Sequence, residues 1–133
     1  MRVVIIEDEE FAARRLERMI GEIDAEIRVV AKLESVRESV EWLKREPQPD
    51  LIFMDIHLED SSGFAIINSV AIQCPIVFTT ATDEKSTVIF RQHQLDYLLK
   101  LICGDELKRI IQKYRDFDKL NWQPIDVDMF RNK

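Results

Sequence analysis

A chain of 133 residues and 15.7 kDa matches one ordinary domain of roughly 100–150 residues. Its 46% hydrophobic and 33% charged residues are enough to bury a core and stay dissolved, which argues against intrinsic disorder. With 25 acidic against 19 basic residues and a net charge of −6, it lacks the broad basic surface that phosphate-backbone contact needs, so no direct nucleic-acid binding is expected of this chain alone.

Cys74 and Cys103 form no Cys-x-x-Cys pair and read as reduced, structural thiols. No stretch approaches the roughly 20 apolar residues of a membrane span. Residues Met1–Asp8 turn acidic after four apolar positions and do not resemble a signal peptide. The expected compartment is the cytoplasm, with no membrane partner.

In chain order, Val3–Ile6 is a short continuous apolar run, the pattern of a strand buried on both faces. Ala12, Leu16, Met19, Ile20 and Ile23 then follow helical spacing. In Ile27–Leu33, apolar Ile27, Val29, Ala31 and Leu33 alternate with mostly polar neighbours, which predicts a strand with one wetter face near a sheet edge. Ser35 with Glu38 three residues on predicts a capping box, opening a helix with Val36, Val40 and Leu43 on one face. Leu51–Met54 is the next strand and Gly63–Ala71 a weaker helix. Ile76–Phe78, a helix over Glu84–His93, the strand Tyr97–Leu99 and a helix marked by Leu107, Ile110, Ile111 and Tyr114 complete the series.

Strand and helix thus alternate five times, which predicts an α/β fold with a doubly wound five-stranded parallel sheet and helices on both faces. Residues 1–118 read as the domain. Residues 119–133 carry no periodicity and read as a linker or disordered tail.

Ligands of open α/β sheets bind beyond the carboxyl ends of the strands. There the sequence puts Glu7 and Asp8 after the first run, Asp55 after the third, Thr79 and Thr80 after the fourth and Lys100 after the fifth. Clustered carboxylates repel, by roughly 4 kcal/mol per close pair at an effective dielectric of 20, unless a proton or a cation intervenes. A hard divalent ion suits such oxygen ligands, and an Asp so placed can act as a nucleophile toward phosphorus. The residues then take roles: Glu7 or Asp8 for metal, Asp55 as nucleophile, Thr80 and Lys100 as partners of phosphoryl oxygens.

The ordered set Glu7-Asp8-Glu9, Asp55-Ile56-His57-Leu58 with Gly63, Phe78-Thr79-Thr80-Ala81 and Leu95-Asp96-Tyr97-Leu98-Leu99-Lys100 resembles the CheY-like receiver domain of response regulators. The wording of the last two segments looks most like receivers of LytTR/AlgR-type transcriptional regulators. The resemblance implies a flavodoxin-like strand order 2-1-3-4-5. It implies Mg²⁺ (or Mn²⁺) held by Glu7, Asp8, Asp55 and the main-chain carbonyl of His57. It further implies that Asp55 accepts a phosphoryl group from a sensor histidine kinase and that Thr80 and Tyr97 act as the switch. The signal would pass to a face formed by the fourth helix, fifth strand and fifth helix, a possible homodimer surface. His57 and Thr82 would set the dephosphorylation speed. DNA would be reached only through a LytTR-type domain outside this chain.

Two positions depart from the family. Leu101 follows Lys100 where receivers carry Pro after a cis bond, and cis before a non-proline costs roughly 2.5–4 kcal/mol, so a trans Lys100–Leu101 bond is expected. Glu59 stands where many receivers have Pro. The alternative reading is a receiver-like docking module that takes no phosphate. A haloacid-dehalogenase-type hydrolase would need its nucleophile in an Asp-x-Asp pair after the first strand. A flavodoxin-like FMN carrier would need a Ser/Thr/Gly-rich phosphate loop after Ile6. The sequence has neither, and the expectation is a switch, not a turnover enzyme.

Overall fold

A computed structural model describes residues 1–81, 84–93, 95–116 and 124–125. Among these residues ten elements alternate: β1 (Arg2–Ile6), α1 (Glu10–Ile23), β2 (Arg28–Leu33), α2 (Val36–Arg45), β3 (Leu51–Asp55), α3 (Phe64–Ser69), β4 (Ile76–Thr80), α4 (Glu84–Gln92), β5 (Tyr97–Leu99) and α5 (Gly104–Arg115). The five strands form one parallel sheet in the order β2-β1-β3-β4-β5, as expected. The alternating segment β2 is an edge strand, and its exposed Arg28 and Lys32 discourage further pairing there.

The apolar runs are explained by burial on both faces. Val3, Ile5, Leu51, Phe53, Val77 and Leu98 point to one side, where Leu16, Ile20, Leu107 and Ile111 of α1 and α5 cover them. Val4, Ile6, Ile52, Met54, Ile76 and Phe78 point to the other, under Leu43 of α2, Ile66 and Ile67 of α3 and Phe90 of α4. This is the period-2 alternation of a strand, hidden in the sequence because both faces are apolar.

The Ser35 cap is present: its hydroxyl accepts from the Glu38 N–H at 3.1 Å. α2 has a second cap that sequence reading did not find. Asp60, from the loop after β3, accepts from the N–H groups of Val36 (2.9 Å) and Arg37 (3.2 Å). Those two hydrogen bonds, with Val36 first, hold the Asp60 carboxyl below its usual range. α3 is shorter than expected because Val70 already takes extended backbone on the way to Pro75. The expected tail lies outside the described residues except for Pro124 and Ile125, and Thr82 also lies outside them.

Candidate functional site

Register decides what meets at the carboxyl rim. Ile6 pairs with Met54, so Glu7 emerges beside Asp55, the last residue of β3. β3 and β4 run further than their apolar runs, because backbone pairing continues through Asp55↔Thr79 and Thr80↔Leu99. The Lys100 N–H then donates to the Thr80 carbonyl at 2.8 Å, which carries Lys100 to the same rim.

Three of the expected residues form one cluster: carboxylate oxygens of Glu7, Asp8 and Asp55 all lie within 4.8 Å of one another. Glu7 and Asp55 are buried. The Lys100 ammonium donates to Asp55 Oδ2 at 2.8 Å and also pairs with Glu7 Oε1. Glu7 Oε2 accepts from the Glu9 N–H at 3.3 Å, and Asp55 Oδ1 accepts from the His57 N–H at 3.0 Å. Burial first, then the hydrogen bond and charge of Asp55, push the Glu7 carboxyl up to about 7, against the opposing pull of Lys100. Burial of Lys100 works against its charge, but hydrogen bonds and attraction from Asp55 and Glu7 prevail and raise it.

The donor set fits a hard divalent cation such as Mg²⁺ or Mn²⁺. It is all oxygen, and three carboxylates face a single ammonium, so negative charge is in excess at short range.

Thr80 is fully buried at the rim, and its hydroxyl donates to the Ala81 carbonyl at 2.7 Å. Thr79 is a buried strand residue. Tyr97 stands apart from the cluster. Half-buried, it stacks on Phe90 with ring centroids 5.3 Å apart, and its hydroxyl accepts from Arg91 Nε at 3.2 Å. The His57 side chain is exposed.

One expectation is corrected: the Lys100–Leu101 peptide is cis. The trans expectation weighed only the local preference of a non-proline bond. Lys100 is placed by partners far along the chain, Thr80 at its N–H and Glu7 and Asp55 at its ammonium. Leu101 is left 78% exposed.

Gly63 has a role that its spacing alone did not reveal. A Cβ there would stand 2.3 Å from the Asp55 carbonyl oxygen and 3.2 Å from the Ile56 Cα, while its own N–H donates to the Ile56 carbonyl at 2.9 Å. Only glycine lets the loop close behind the acidic strand end. Beside the cluster, Phe11 (72% exposed) and Leu101 flank a cavity of about 270 Å³ edged by Glu7 and Lys100.

Comparison with known proteins identifies the family. Residues 3–112 match the family model described as the response regulator receiver domain. Among curated relatives, sensory transduction protein LytT of Enterococcus faecalis is 33% identical over 116 residues, covering 85% of this chain and 47% of that protein. Sensory transduction protein LytR of Staphylococcus haemolyticus is 35% identical over 139 residues, covering 97% and 54%. The chain therefore spans about half the length of the curated relatives it matches.

Among solved structures, the response regulatory domain of protein mrkE from Klebsiella pneumoniae superposes with a TM-score of 0.73 at 27% identity, covering 86% of this chain and 95% of that one. The PhyR receiver domain of Erythrobacter litoralis gives a TM-score of 0.76 at 23% identity over 94% and 95%, which bears on the fold alone. Fold and family match converge: the chain belongs to the response regulator receiver family and is similar to the sensory transduction proteins LytT and LytR.

Proposed function

We propose that this domain is a phosphorylation-controlled switch in which Asp55 is the phosphoacceptor. The observation that carries the reading is the cluster itself: Asp55 buried at a strand end, within 4.8 Å of Glu7 and Asp8, with the Lys100 ammonium on its Oδ2. The donor is a sensor histidine kinase. An Asp55 carboxylate oxygen forms the new bond to phosphorus as the bond from phosphorus to the donor's imidazole nitrogen breaks, and that nitrogen keeps the electron pair. Lys100 holds charge against the phosphoryl oxygens. Glu7, Asp8, Asp55 and the His57 carbonyl are the residues that hold Mg²⁺ or Mn²⁺, which when bound neutralises phosphoryl charge. The exposed Phe11 and Leu101 beside the rim support a protein donor rather than a small one.

Thr80 and Tyr97 carry the switch. The Thr80 hydroxyl, now on the Ala81 carbonyl, exchanges that partner for a phosphoryl oxygen, and Tyr97 repacks from its stack on Phe90. A charge added at one rim thereby biases a packed element. The α4–β5–α5 face, with half-exposed Val88 and Leu99, is the surface for a homodimer. Likeness to LytT and LytR supports transcriptional control through a LytTR-type DNA-binding domain attached after residues 119–133, in the cytoplasm. Among the described residues, no helix is long and apolar enough to cross a membrane.

Intact mass after incubation with a small acyl phosphate tests the reading. One added phosphoryl group, dependent on both Mg²⁺ and Asp55 and absent in Asp55→Ala, is expected. No adduct under rapid quench would leave a phosphate-independent docking module instead.

A further inference from the structure

The two apolar clusters on either side of the sheet mark a change of side late in the chain. α5 belongs to the α1 side: Leu107 and Ile111 are buried there, and Arg115 pairs with Asp24 beside α1 at 2.7 Å. Ile125, ten residues after Arg115, packs against the opposite cluster. Together with Pro124 it walls a cavity of about 170 Å³ whose other side is formed by Ile67, Val70, Ile72, Cys74 and Ile76. Ten residues reach at most about 33–36 Å, and the helix layers on the two faces of the sheet lie two packing steps, roughly 20 Å, apart, so the crossing is within the chain's span.

We infer that the groove between α3 and the loop leading into β4 is a docking site for this chain's own segment after α5, with Ile125 as its anchor. The groove floor is apolar, with Ile67, Ile72, Cys74 and Ile76 nearly fully buried. Ile125 covers part of this floor while shielding its own side chain, and both gains scale with the area removed from water. The anchor lies at the amino end of β4, where Ile76 begins the strand, and so opposite the Glu7–Asp55–Lys100 rim. It fixes the exit of the polypeptide on the α3 side instead of leaving a free tether from the end of α5. This inference does not depend on phosphorylation of Asp55.

Cys74 reports on the groove directly. In the full chain carrying Cys103→Ser, which removes the exposed thiol, the labelling rate of Cys74 by a small aromatic disulfide measures how often the groove opens. Ile125→Asp is expected to raise that rate roughly tenfold, Ile125→Ala less but in the same direction, and Ile125→Leu to leave it unchanged. Circular dichroism identifies variants that keep the fold, and Ile125→Ala decides the matter if Ile125→Asp does not. Equal rates in the parent and in the folded Ile125→Asp or Ile125→Ala protein would overturn the anchor.

Discussion

The two ends of β5 hold carboxylates under opposite conditions. At its entry, Asp96 is one carboxylate with two donors: Lys113 Nζ at 2.8 Å and the Tyr114 hydroxyl. At its exit, Lys100 is one ammonium shared between Glu7 and Asp55, with Asp8 close by. The first arrangement is satisfied within the protein and adds stability. The second has more negative charge than its cation can match, which costs stability until a proton or a metal ion arrives. A structural ion pair and a candidate site thus differ in stoichiometry as well as in burial.

The largest expected effect comes from disturbing the rim's backbone. Gly63→Ala forces a Cβ onto the Asp55 carbonyl, and overpacking of this kind costs about 1–3 kcal/mol. Urea denaturation should show that loss, together with weakened Mg²⁺ binding, while the Asp96 end is untouched.

The next effect is a pH dependence of the metal-free protein. The folded state holds the Glu7 proton up to about 7, against 4.5 for an ordinary Glu. Its stabilising contribution is therefore present in full below pH 4.5 and is lost as pH climbs through 7. A loss of about 1–3 kcal/mol is expected across that window. Glu7→Gln should flatten it in denaturation curves taken with chelator present.

Two isosteric substitutions should then differ in sign. Asp96→Asn weakens both of its hydrogen bonds and should destabilise by about 1–2 kcal/mol. Above pH 7, where Glu7 is charged, Asp55→Asn loses one attraction but escapes two repulsions, so the metal-free protein should gain about 1 kcal/mol there. Thermal melts in chelator compare them directly; a loss in both would mean that the rim is a balanced ion pair like its counterpart.

The smallest effect is alkaline. Burial first, then Asp96, raises the Tyr114 hydroxyl above its ordinary 10. Its contribution is present below pH 10 and fades as pH rises further. Tyr114→Phe should remove that slope at a cost of about 1 kcal/mol at neutral pH, read from melts between pH 8 and 11.

How far the sequence revealed this molecule follows from the range of the forces involved. The strands were legible because burial on both faces leaves unbroken apolar runs. The rim was legible because Glu7, Asp8, Asp55, Thr80 and Lys100 each follow such a run. Strand ends were not, since backbone pairing continues through Asp55 and Thr80 whatever their side chains. The Asp60 cap on α2 spans 24 positions, and the Gly63 approach to Asp55 depends on a loop closing in three dimensions. The Lys100–Leu101 bond was misread because only its local torsional preference is visible in sequence. Tyr97 entered only through the family resemblance, as a switch residue, and its stack on Phe90 needed the placement of α4.

The most direct measurement is the melting temperature during a Mg²⁺ titration at neutral pH. If the rim is a cation site, mass action should raise it by several degrees at saturating Mg²⁺. The rise should vanish in Asp8→Asn and persist in Asp96→Asn. A melting temperature that ignores Mg²⁺, or one that rises equally in Asp8→Asn, would contradict the assignment of Glu7, Asp8 and Asp55 as a metal-binding phosphoacceptor site.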